Sequence, residues 1–168
     1  MHRFHGHHGL RRFAYDVNEV VDFLEIKPGM RVADLGAGDG YFSKAFKEKG
    51  AEVYAFDIDD YYFEEMQKQG IKTVKADLCG EIEGSFDLAF LANVYHDLAY
   101  ECRSSILNNL KRVAKKVAIL DFKEGVPFGP PWKIKKEEVI KDLEGAGFEL
   151  EKEKDLRFHY LLVFKKKE

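Results

Sequence analysis

Residues 32–43 read VADLGAGDGYFS, and this stretch decides the fold. A short apolar run, typical of a buried strand, leads into a turn with glycine at positions 36, 38 and 40. Glycine has no Cβ and adopts positive φ easily, so its backbone can approach a ligand closely where the next helix begins. We therefore predict a strand, a ligand-binding turn and a helix in this order.

The spacing of the glycines indicates which class of ligand the turn binds. Dinucleotide-binding turns have the pattern G-x-G-x-x-G, whereas here the third glycine comes one residue earlier and Asp34 stands two residues before the first. A carboxylate so close to the turn suits a cationic ligand better than a pyrophosphate. The pattern resembles the first motif of class I S-adenosylmethionine-dependent methyltransferases, whose cofactor carries a sulfonium and an amino group. This resemblance implies cofactor contacts at Asp34, Gly36, Ala37, Gly38 and Gly40.

Composition narrows the alternatives. A chain of 168 residues fits one domain, residues 1–168, in which we expect residues 1–15 to form an N-terminal arm. The net charge of −3 gives no general attraction to nucleic acid, and no apolar run approaches the roughly 20 residues of a membrane-spanning helix. Cys79 and Cys102 lack the spacing of a zinc site or a disulfide framework. We therefore expect a cytoplasmic protein with no metal, disulfide, membrane or nucleic-acid partner.

The rest of the chain alternates apolar runs with amphipathic segments, which predicts β-α-β units and a mostly parallel sheet. The predicted strands are residues 31–35, 53–56, 73–75, 86–91, 116–122, 149–154 and 157–164. The predicted helices are residues 17–24, 41–49, 61–69, 99–113 and 135–146. This order is similar to the class I methyltransferase fold. It implies a Rossmann-like three-layer α/β sandwich with a seven-stranded, mostly parallel sheet and one antiparallel strand in the C-terminal hairpin.

Further candidate cofactor residues follow the second, third and fourth predicted strands, because ligands bind beyond the carboxyl ends of strands in such sheets. Asp57 lies 21 residues beyond Gly36, a separation at which an acid accepts hydrogen bonds from ribose hydroxyls. An aspartate at this point is also a common helix N-cap, and that alternative applies to Asp57 and Asp59. The resemblance implies contacts with the adenine or with the methionine part at Ile58, Asp77, Leu78 and Asn93.

The predicted loop after the fourth strand carries His96 beside Tyr95 and Asp97. Histidine titrates near neutral pH, and in the resembling family this loop faces the substrate. His96 and Tyr95 are therefore the candidate catalytic residues, with His96 as a general base or an acceptor contact. A lone histidine is also often structural, and Asp97 has the alternative role of N-cap for the next helix. Many members of the family need no base and act by aligning the methyl group with its acceptor.

Residues 122–132 contain three of the four prolines and the only tryptophan, so we predict a loop. Its position resembles the substrate-side loop of small-molecule methyltransferases. Phe128 and Trp132 are therefore the candidate substrate residues, as an apolar lid over a flat or apolar acceptor. The alternative is that both side chains pack against the edge of the sheet.

The N-terminus is rich in histidine and arginine: His2, Arg3, His5, His7, His8, Arg11 and Arg12. Spacing this loose, without a cysteine or acidic partner, argues against a native metal site. We expect instead an arm that folds over the cofactor, with Phe13 and Tyr15 covering the site and an arginine meeting a carboxylate.

The resemblance implies transfer of a methyl group from S-adenosylmethionine to a small molecule by direct displacement, with S-adenosylhomocysteine as product. The chain resembles the quinone-biosynthesis-like methyltransferases. Two alternatives stay open. A non-catalytic S-adenosylmethionine-binding or regulatory partner subunit would keep the glycine turn without an acceptor pocket, and a nicotinamide-dependent oxidoreductase would need the glycine spacing that this chain lacks. The sequence does not indicate the acceptor or the oligomeric state.

Overall fold

The computed structural model describes residues 14–168. The predicted N-terminal arm falls almost entirely outside this range, as do its histidines, its arginines and Phe13. The elements in chain order are α1 (Val17–Leu24), β1 (Arg31–Leu35), α2 (Tyr41–Glu48), β2 (Glu52–Asp57), α3 (Phe63–Lys68), β3 (Lys72–Lys75), β4 (Phe86–Ala92), α4 (Tyr95–Val113), β5 (Ala114–Phe122), α5 (Lys136–Gly145), β6 (Phe148–Asp155) and β7 (His159–Lys166).

Seven strands form one sheet in the order β3-β2-β1-β4-β5-β7-β6. Strands β1 to β5 pair in parallel, and β7 runs antiparallel to both of its neighbours, β5 and β6. The predicted fold class is thus confirmed. The strand order reverses between β1 and β4, so the turns that follow these two strands lie side by side. This switch point is where open α/β sheets bind their ligands.

Helices cover both faces of the sheet. Consecutive strand residues point to opposite faces, so Phe90 packs with α1, α2 and α3, whereas Leu91 packs with α4 and α5. On the first face the ring of Phe90 contacts those of Phe42 and Phe46, with centroids 4.8 and 5.2 Å apart. None of the helices within residues 14–168 is both long and apolar enough to cross a bilayer.

Most predicted boundaries agree with the structure within two residues, but α4 begins at Tyr95 rather than at residue 99. His96 and Asp97 therefore belong to the first turn of a helix and not to a loop. The N-cap position is occupied by Val94, whose carbonyl accepts the N–H of Asp97 at 3.1 Å. The predicted capping role of Asp97 is therefore wrong.

Cys79 and Cys102 form a disulfide, which corrects the expectation that the chain has none. Their Cα atoms lie 5.6 Å apart, within the ordinary range, because α4 packs on the segment that follows β3. Cys102 has non-helical backbone angles, so the bridge coincides with a break in α4.

We expect that removal of the bridge by the double substitution Cys79→Ser, Cys102→Ser lowers the free energy of unfolding by about 3 kcal/mol, because the cross-link restricts the unfolded chain. Denaturant unfolding of the wild type and the double variant, each with and without dithiothreitol, measures the difference. The double variant should not respond to dithiothreitol. Equal stability of the oxidised wild type and the double variant would contradict the prediction.

Candidate functional site

The carboxyl ends of β1 and β2 are joined by the backbone of the glycine turn. The N–H groups of Gly36 and Ala37 donate to the carbonyl of Phe56, at 2.8 and 3.0 Å. The φ angles of Gly36, Gly38 and Gly40 are +82°, +59° and +84°, in the left-handed region that glycine adopts without a steric penalty. The backbone therefore forms the turn that the three-glycine pattern predicts.

Packing within the fold explains two of the three glycines. A Cβ at Gly36 would lie 2.8 Å from Cγ1 of Val94, in the turn after β4. A Cβ at Gly40 would lie 2.6 Å from the sulfur of Met66, in α3. These two glycines are thus required by their neighbours without any ligand, whereas the N–H of Gly38 binds the carboxylate of Asp57 at the end of β2.

Asp57 ends β2, and its carboxylate accepts two backbone hydrogen bonds. Oδ2 accepts the N–H of Gly38 at 2.8 Å, and Oδ1 accepts that of Asp59 at 2.9 Å. Neither aspartate caps a helix, because α3 begins at Phe63 and Asp59 accepts instead the N–H of Tyr61, at 3.0 Å. Each carboxylate oxygen of Asp57 keeps capacity for a further hydrogen bond from a ligand hydroxyl. The N-cap alternative is therefore wrong for both residues.

Asp34 is buried in β1 and binds the next helix. Its Oδ2 accepts the hydroxyl of Ser43 in α2 at 2.7 Å. Burial, with smaller contributions from the charges of Asp57 and Asp39, outweighs this hydrogen bond and raises the pKa of Asp34 to about 7. The carboxyl is therefore close to half protonated at neutral pH, and a nearby cation would favour its ionised form.

Two predicted cofactor residues, Asp77 and Leu78, follow β3, and they differ in their exposure to solvent. The N–H of Ala76 donates to the carbonyl of Asp57 at 3.0 Å, which brings Asp77 beside the end of β2. Asp77 is exposed, and its carboxylate accepts the N–H of Cys79 at 2.8 Å. Leu78 has no exposed surface and packs in the core against α4. The structure thus brings Asp77 to the surface but not Leu78, and this burial leaves no face of Leu78 for an adenine ring.

Asn93 forms the turn after β4 in the left-handed conformation, with φ +61°. Its backbone N–H donates to the carbonyl of Leu120 at 2.7 Å. Its side-chain amide lies between Tyr15 and His159, both of which are buried. Because Val94 packs on Gly36, this turn lies directly against the glycine turn.

His96 is buried and paired with two carboxylates. Nδ1 lies 2.9 Å from Oδ1 of Asp121, the backbone N–H of His96 donates to Oδ2 of Asp121 at 3.0 Å, and Nε2 lies 3.4 Å from Asp97. Burial opposes the charged ring, but the charge and hydrogen bond of Asp121, with help from Asp97, raise the pKa of His96 to about 10. A protonated imidazole has no lone pair to accept a proton. The arrangement therefore supports the structural alternative for His96 and not the general base.

Tyr95 is fully buried, and its hydroxyl donates to Asp142 in α5 at 2.9 Å. Burial and the charge of Asp142 raise its pKa above the usual range. A side chain with no exposed surface cannot contact an acceptor, so the arrangement does not support Tyr95 as a catalytic residue. Tyr95 and His96 instead attach the first turn of α4 to its neighbours.

Two buried polar residues at this edge, Asp121 and His159, were not among the candidates from the sequence. Asp121 interrupts the otherwise apolar end of β5, and a charge in a buried strand signals a partner, since isolated buried charges are costly. His159 begins β7 and carries no comparable sequence signal. Within residues 14–168 no group of three or more side chains is placed to hold a metal ion.

The loop after β5 places its two predicted substrate residues differently. Phe128 is half-buried, with its ring centroid 4.8 Å from that of Phe158 and 6.4 Å from that of Phe122. Trp132 is 38% exposed and lies 6.4 Å from the ring of His96 and 5.5 Å from the exposed ring of Tyr100. Phe128 thus packs against other aromatic rings, in line with the alternative to a lid, whereas Trp132 keeps a face open to solvent.

A cavity of about 600 Å³ lies between residues 14–17, Tyr41 at the start of α2, and the β6–β7 turn. Tyr15 lines it, and the hydroxyl of Tyr15 also bonds Asn93 in the turn after β4. Arg157 lines its other side, next to the Phe158 that packs on Phe128. The volume lies within the range of small-molecule sites.

The family described as "Methyltransferase domain" matches residues 33–120, slightly more than half of the chain. Over 93 residues the chain is 37% identical to a ribosomal protein L11 methyltransferase of Caldicellulosiruptor saccharolyticus, a match that covers 51% of this chain and 30% of that protein. Over 125 residues it is 29% identical to a ribosomal RNA small subunit methyltransferase A of Streptococcus agalactiae, covering 67% and 42%. The chain thus spans less than half the length of these curated relatives.

Solved structures match nearly the whole chain. A SAM-dependent methyltransferase from Aquifex aeolicus has a TM-score of 0.81 and 27% identity, and the match covers 92% of this chain and 91% of that one. A TehB-like SAM-dependent methyltransferase from Corynebacterium glutamicum has a TM-score of 0.74 and 22% identity, covering 96% and 93%. A 1,6-didemethyltoxoflavin-N1-methyltransferase from Burkholderia thailandensis, solved with S-adenosylhomocysteine, has a TM-score of 0.70 and 20% identity, covering 90% and 76%. The last two share the fold.

The pairing of His96 with Asp121 predicts a pH-dependent stability. The pKa of His96 rises from its ordinary value of 6.5 to about 10 on folding, so the stabilisation by the charged ring is complete below pH 6.5 and is lost as the pH rises towards 10. We expect the difference in free energy of unfolding between wild type and His96→Gln to shrink over this range. Urea unfolding at a series of pH values measures it.

The partner substitution Asp121→Asn should lower the free energy of unfolding by about 3–5 kcal/mol at neutral pH, because it removes the nearer of the two carboxylates that face the buried ring of His96. A difference between wild type and His96→Gln that stays constant from pH 6.5 to 10 would show that the ring is neutral in the folded protein.

Proposed function

Because the chain belongs to the class I S-adenosylmethionine-dependent methyltransferase family, we propose that it transfers the methyl group of S-adenosylmethionine to a small-molecule acceptor. The observation that carries this proposal is the meeting of the glycine turn, the Asp57 carboxylate and the turn at Asn93 at the switch point of the sheet. These groups lie where the fold binds ligands.

The cofactor site is proposed to extend along the ends of β1, β2 and β3. Asp57 is fixed by two backbone N–H groups and keeps lone pairs for the ribose hydroxyls. Asp77 is an exposed acceptor for the adenine amino group, and the half-buried Ile58 supplies apolar surface for the ring. Asn93 completes the site at the methionine end. Asp34 acts there through its charge, since its side chain is buried.

The proposed mechanism relies on alignment. S-adenosylmethionine supplies an electrophilic methyl group, whose bond to sulfur breaks as the bond to the acceptor forms. Asp121 raises the pKa of His96 to about 10 and Tyr95 is fully buried, so the proposal assigns to neither residue the removal of the acceptor's proton. The residues of the site instead hold the two reactants in line, a contribution large enough to carry much of the rate enhancement.

Three observations support a small acceptor. The exposed face of Trp132 offers an apolar surface beside the first turn of α4. The cavity that Tyr15 lines has the volume of a small-molecule site, and the hydroxyl of Tyr15 also bonds Asn93. The net charge of −3 offers no general attraction to a polyanion. The names of the relatives include a ribosomal protein and a ribosomal RNA, so these belong among the acceptors to test.

Calorimetric titration with S-adenosylmethionine, S-adenosylhomocysteine and NAD, each alone, tests the proposed cofactor. We expect binding of the two adenosyl compounds and none of NAD. Asp57→Ala should weaken their binding by about 1–3 kcal/mol, because charge-assisted hydrogen bonds to the ribose are lost. Asp22→Ala, which removes an exposed carboxylate of α1, is the matched control and should leave binding unchanged.

Tight binding of NAD would instead favour the oxidoreductase. Binding of S-adenosylmethionine without methyl transfer to any small molecule, protein or RNA offered would favour the non-catalytic binding subunit.

Asp34 provides a separate prediction about protons. Its pKa is about 7, so at about pH 6 most of the carboxyl is protonated, and a cation bound nearby would lower that pKa and release the proton. We expect S-adenosylmethionine to release up to about one proton per site at that pH. Calorimetry in buffers of different ionisation enthalpy counts these protons. The variant Asp34→Asn should bind S-adenosylmethionine without releasing a proton. If the wild type also releases none, the pKa of Asp34 does not change when the cofactor binds.

A further inference from the structure

Asn93 is one of two non-glycine residues with positive φ among residues 14–168. The other, Glu25, follows the last residue of α1, where a left-handed C-cap is an ordinary way to end a helix. Asn93 instead lies in a turn at the proposed site. This conformation is unfavourable for residues other than glycine, although asparagine tolerates it better than most, so it persists only where the surroundings hold it.

Two buried side chains hold the amide of Asn93 from opposite ends. Its Nδ2 donates to the hydroxyl oxygen of Tyr15 at 3.2 Å. Its Oδ1 lies 3.0 Å from Nε2 of His159, and because an amide oxygen only accepts, His159 must carry a proton on Nε2. These partners come from the segment before α1 and from the start of β7, so three distant parts of the chain meet at one side chain.

Ring packing fixes both partners. The ring of Tyr15 meets that of His159 edge to face, with centroids 4.9 Å apart. The ring of Phe122 lies 4.3 Å from that of His159 on β7. With the hydrogen bonds to Tyr15 and His159 in place, the amide of Asn93 has a single orientation. The network therefore determines the direction in which the turn after β4 leaves the strand.

The conformation of Asn93 affects the glycine turn through the next residue. Val94 packs so closely on Gly36 that a Cβ at Gly36 would lie 2.8 Å from it. A change of φ at Asn93 would therefore move Val94 against or away from the glycine turn. The proposed function places the amino-acid end of S-adenosylmethionine beside these two turns.

We propose that Tyr15 and His159 are positioning residues, which hold Asn93 in its left-handed conformation and so shape the site for the amino-acid end of the cofactor. This inference rests on the proposed function. Neither residue has to touch the cofactor, because each acts through the side-chain amide of Asn93. The adenosine end, at Asp57 and Asp77, does not depend on them.

Comparison of two ligands tests this inference. S-adenosylmethionine carries the amino-acid end, whereas 5′-methylthioadenosine lacks it and keeps the adenosine. We expect Tyr15→Phe and His159→Leu to weaken binding of S-adenosylmethionine by about tenfold each, the loss of one buried hydrogen bond. Binding of 5′-methylthioadenosine should stay within about twofold of wild type. In His159→Gln the side-chain amide can donate to Asn93. This variant should therefore bind S-adenosylmethionine more tightly than His159→Leu does, with a ratio of the two affinities close to that of the wild type.

The matched control is Tyr160→Phe, which also removes a buried hydroxyl, one that donates to the carbonyl of Ile134 at 2.8 Å. It should leave the ratio of the two affinities unchanged. Equal losses for both ligands in the Tyr15 and His159 variants, or no loss at all, would overturn the inference. Tyr15→Phe keeps the aromatic ring and removes only the hydroxyl, so it gives this readout even where His159→Leu fails to fold. A wild type that binds neither ligand would overturn the proposed function itself, and this inference with it.

Discussion

The hydrogen bond from the Gly38 amide to the Asp57 carboxylate is the interaction on which the proposed cofactor site depends. It joins the turn after β1 to the end of β2, and the carboxylate accepts a second N–H from Asp59. Asp57 therefore has a fixed position before any ligand binds, and ligand binding costs little additional ordering. The charge of Asp57 also contributes to the raised pKa of the buried Asp34. Two carboxyl groups at this edge favour a cationic ligand, as the position of Asp34 before the glycine turn predicts.

The polar groups of α4 have a different role from the one their sequence position suggests. A histidine that follows a strand is a natural candidate for a catalytic base, but here Asp121 and Asp97 raise the pKa of His96 to about 10. The hydroxyl of Tyr95 similarly donates a hydrogen bond to Asp142. Both interactions fix the first turn of α4, which begins two residues after Asn93. The position of Asn93 is therefore restrained by the helix that follows it as well as by the contacts of its own side chain. Rigid support of this kind serves a reaction that depends on alignment.

The features that the sequence predicts correctly are those that depend on patterns within short segments. The strands, the glycine turn and the positions of Asp57 and Asp77 follow from periodicity and from spacing within short segments. The start of α4, the Cys79–Cys102 disulfide and the contacts of Asn93 depend on partners that are distant in sequence. Tyr15 is 78 residues from Asn93, and His159 is 66 residues from it. The burial of Leu78 has the same origin, because α4 covers it.

The two sides of the proposed site differ in how they are built. Backbone groups and carboxylates fixed by hydrogen bonds form the cofactor side, whereas aromatic rings and a proline-rich loop form the acceptor side. Hydrogen bonds specify one ligand closely, but an apolar surface accepts many flat molecules of similar size. The residues of the cofactor side therefore predict one ligand, whereas those of the acceptor side are compatible with many. The ring of Trp132 lies 6.4 Å from that of His96, so the exposed apolar surface of the proposed acceptor side adjoins a helix turn that the contact between His96 and Asp121 holds in place.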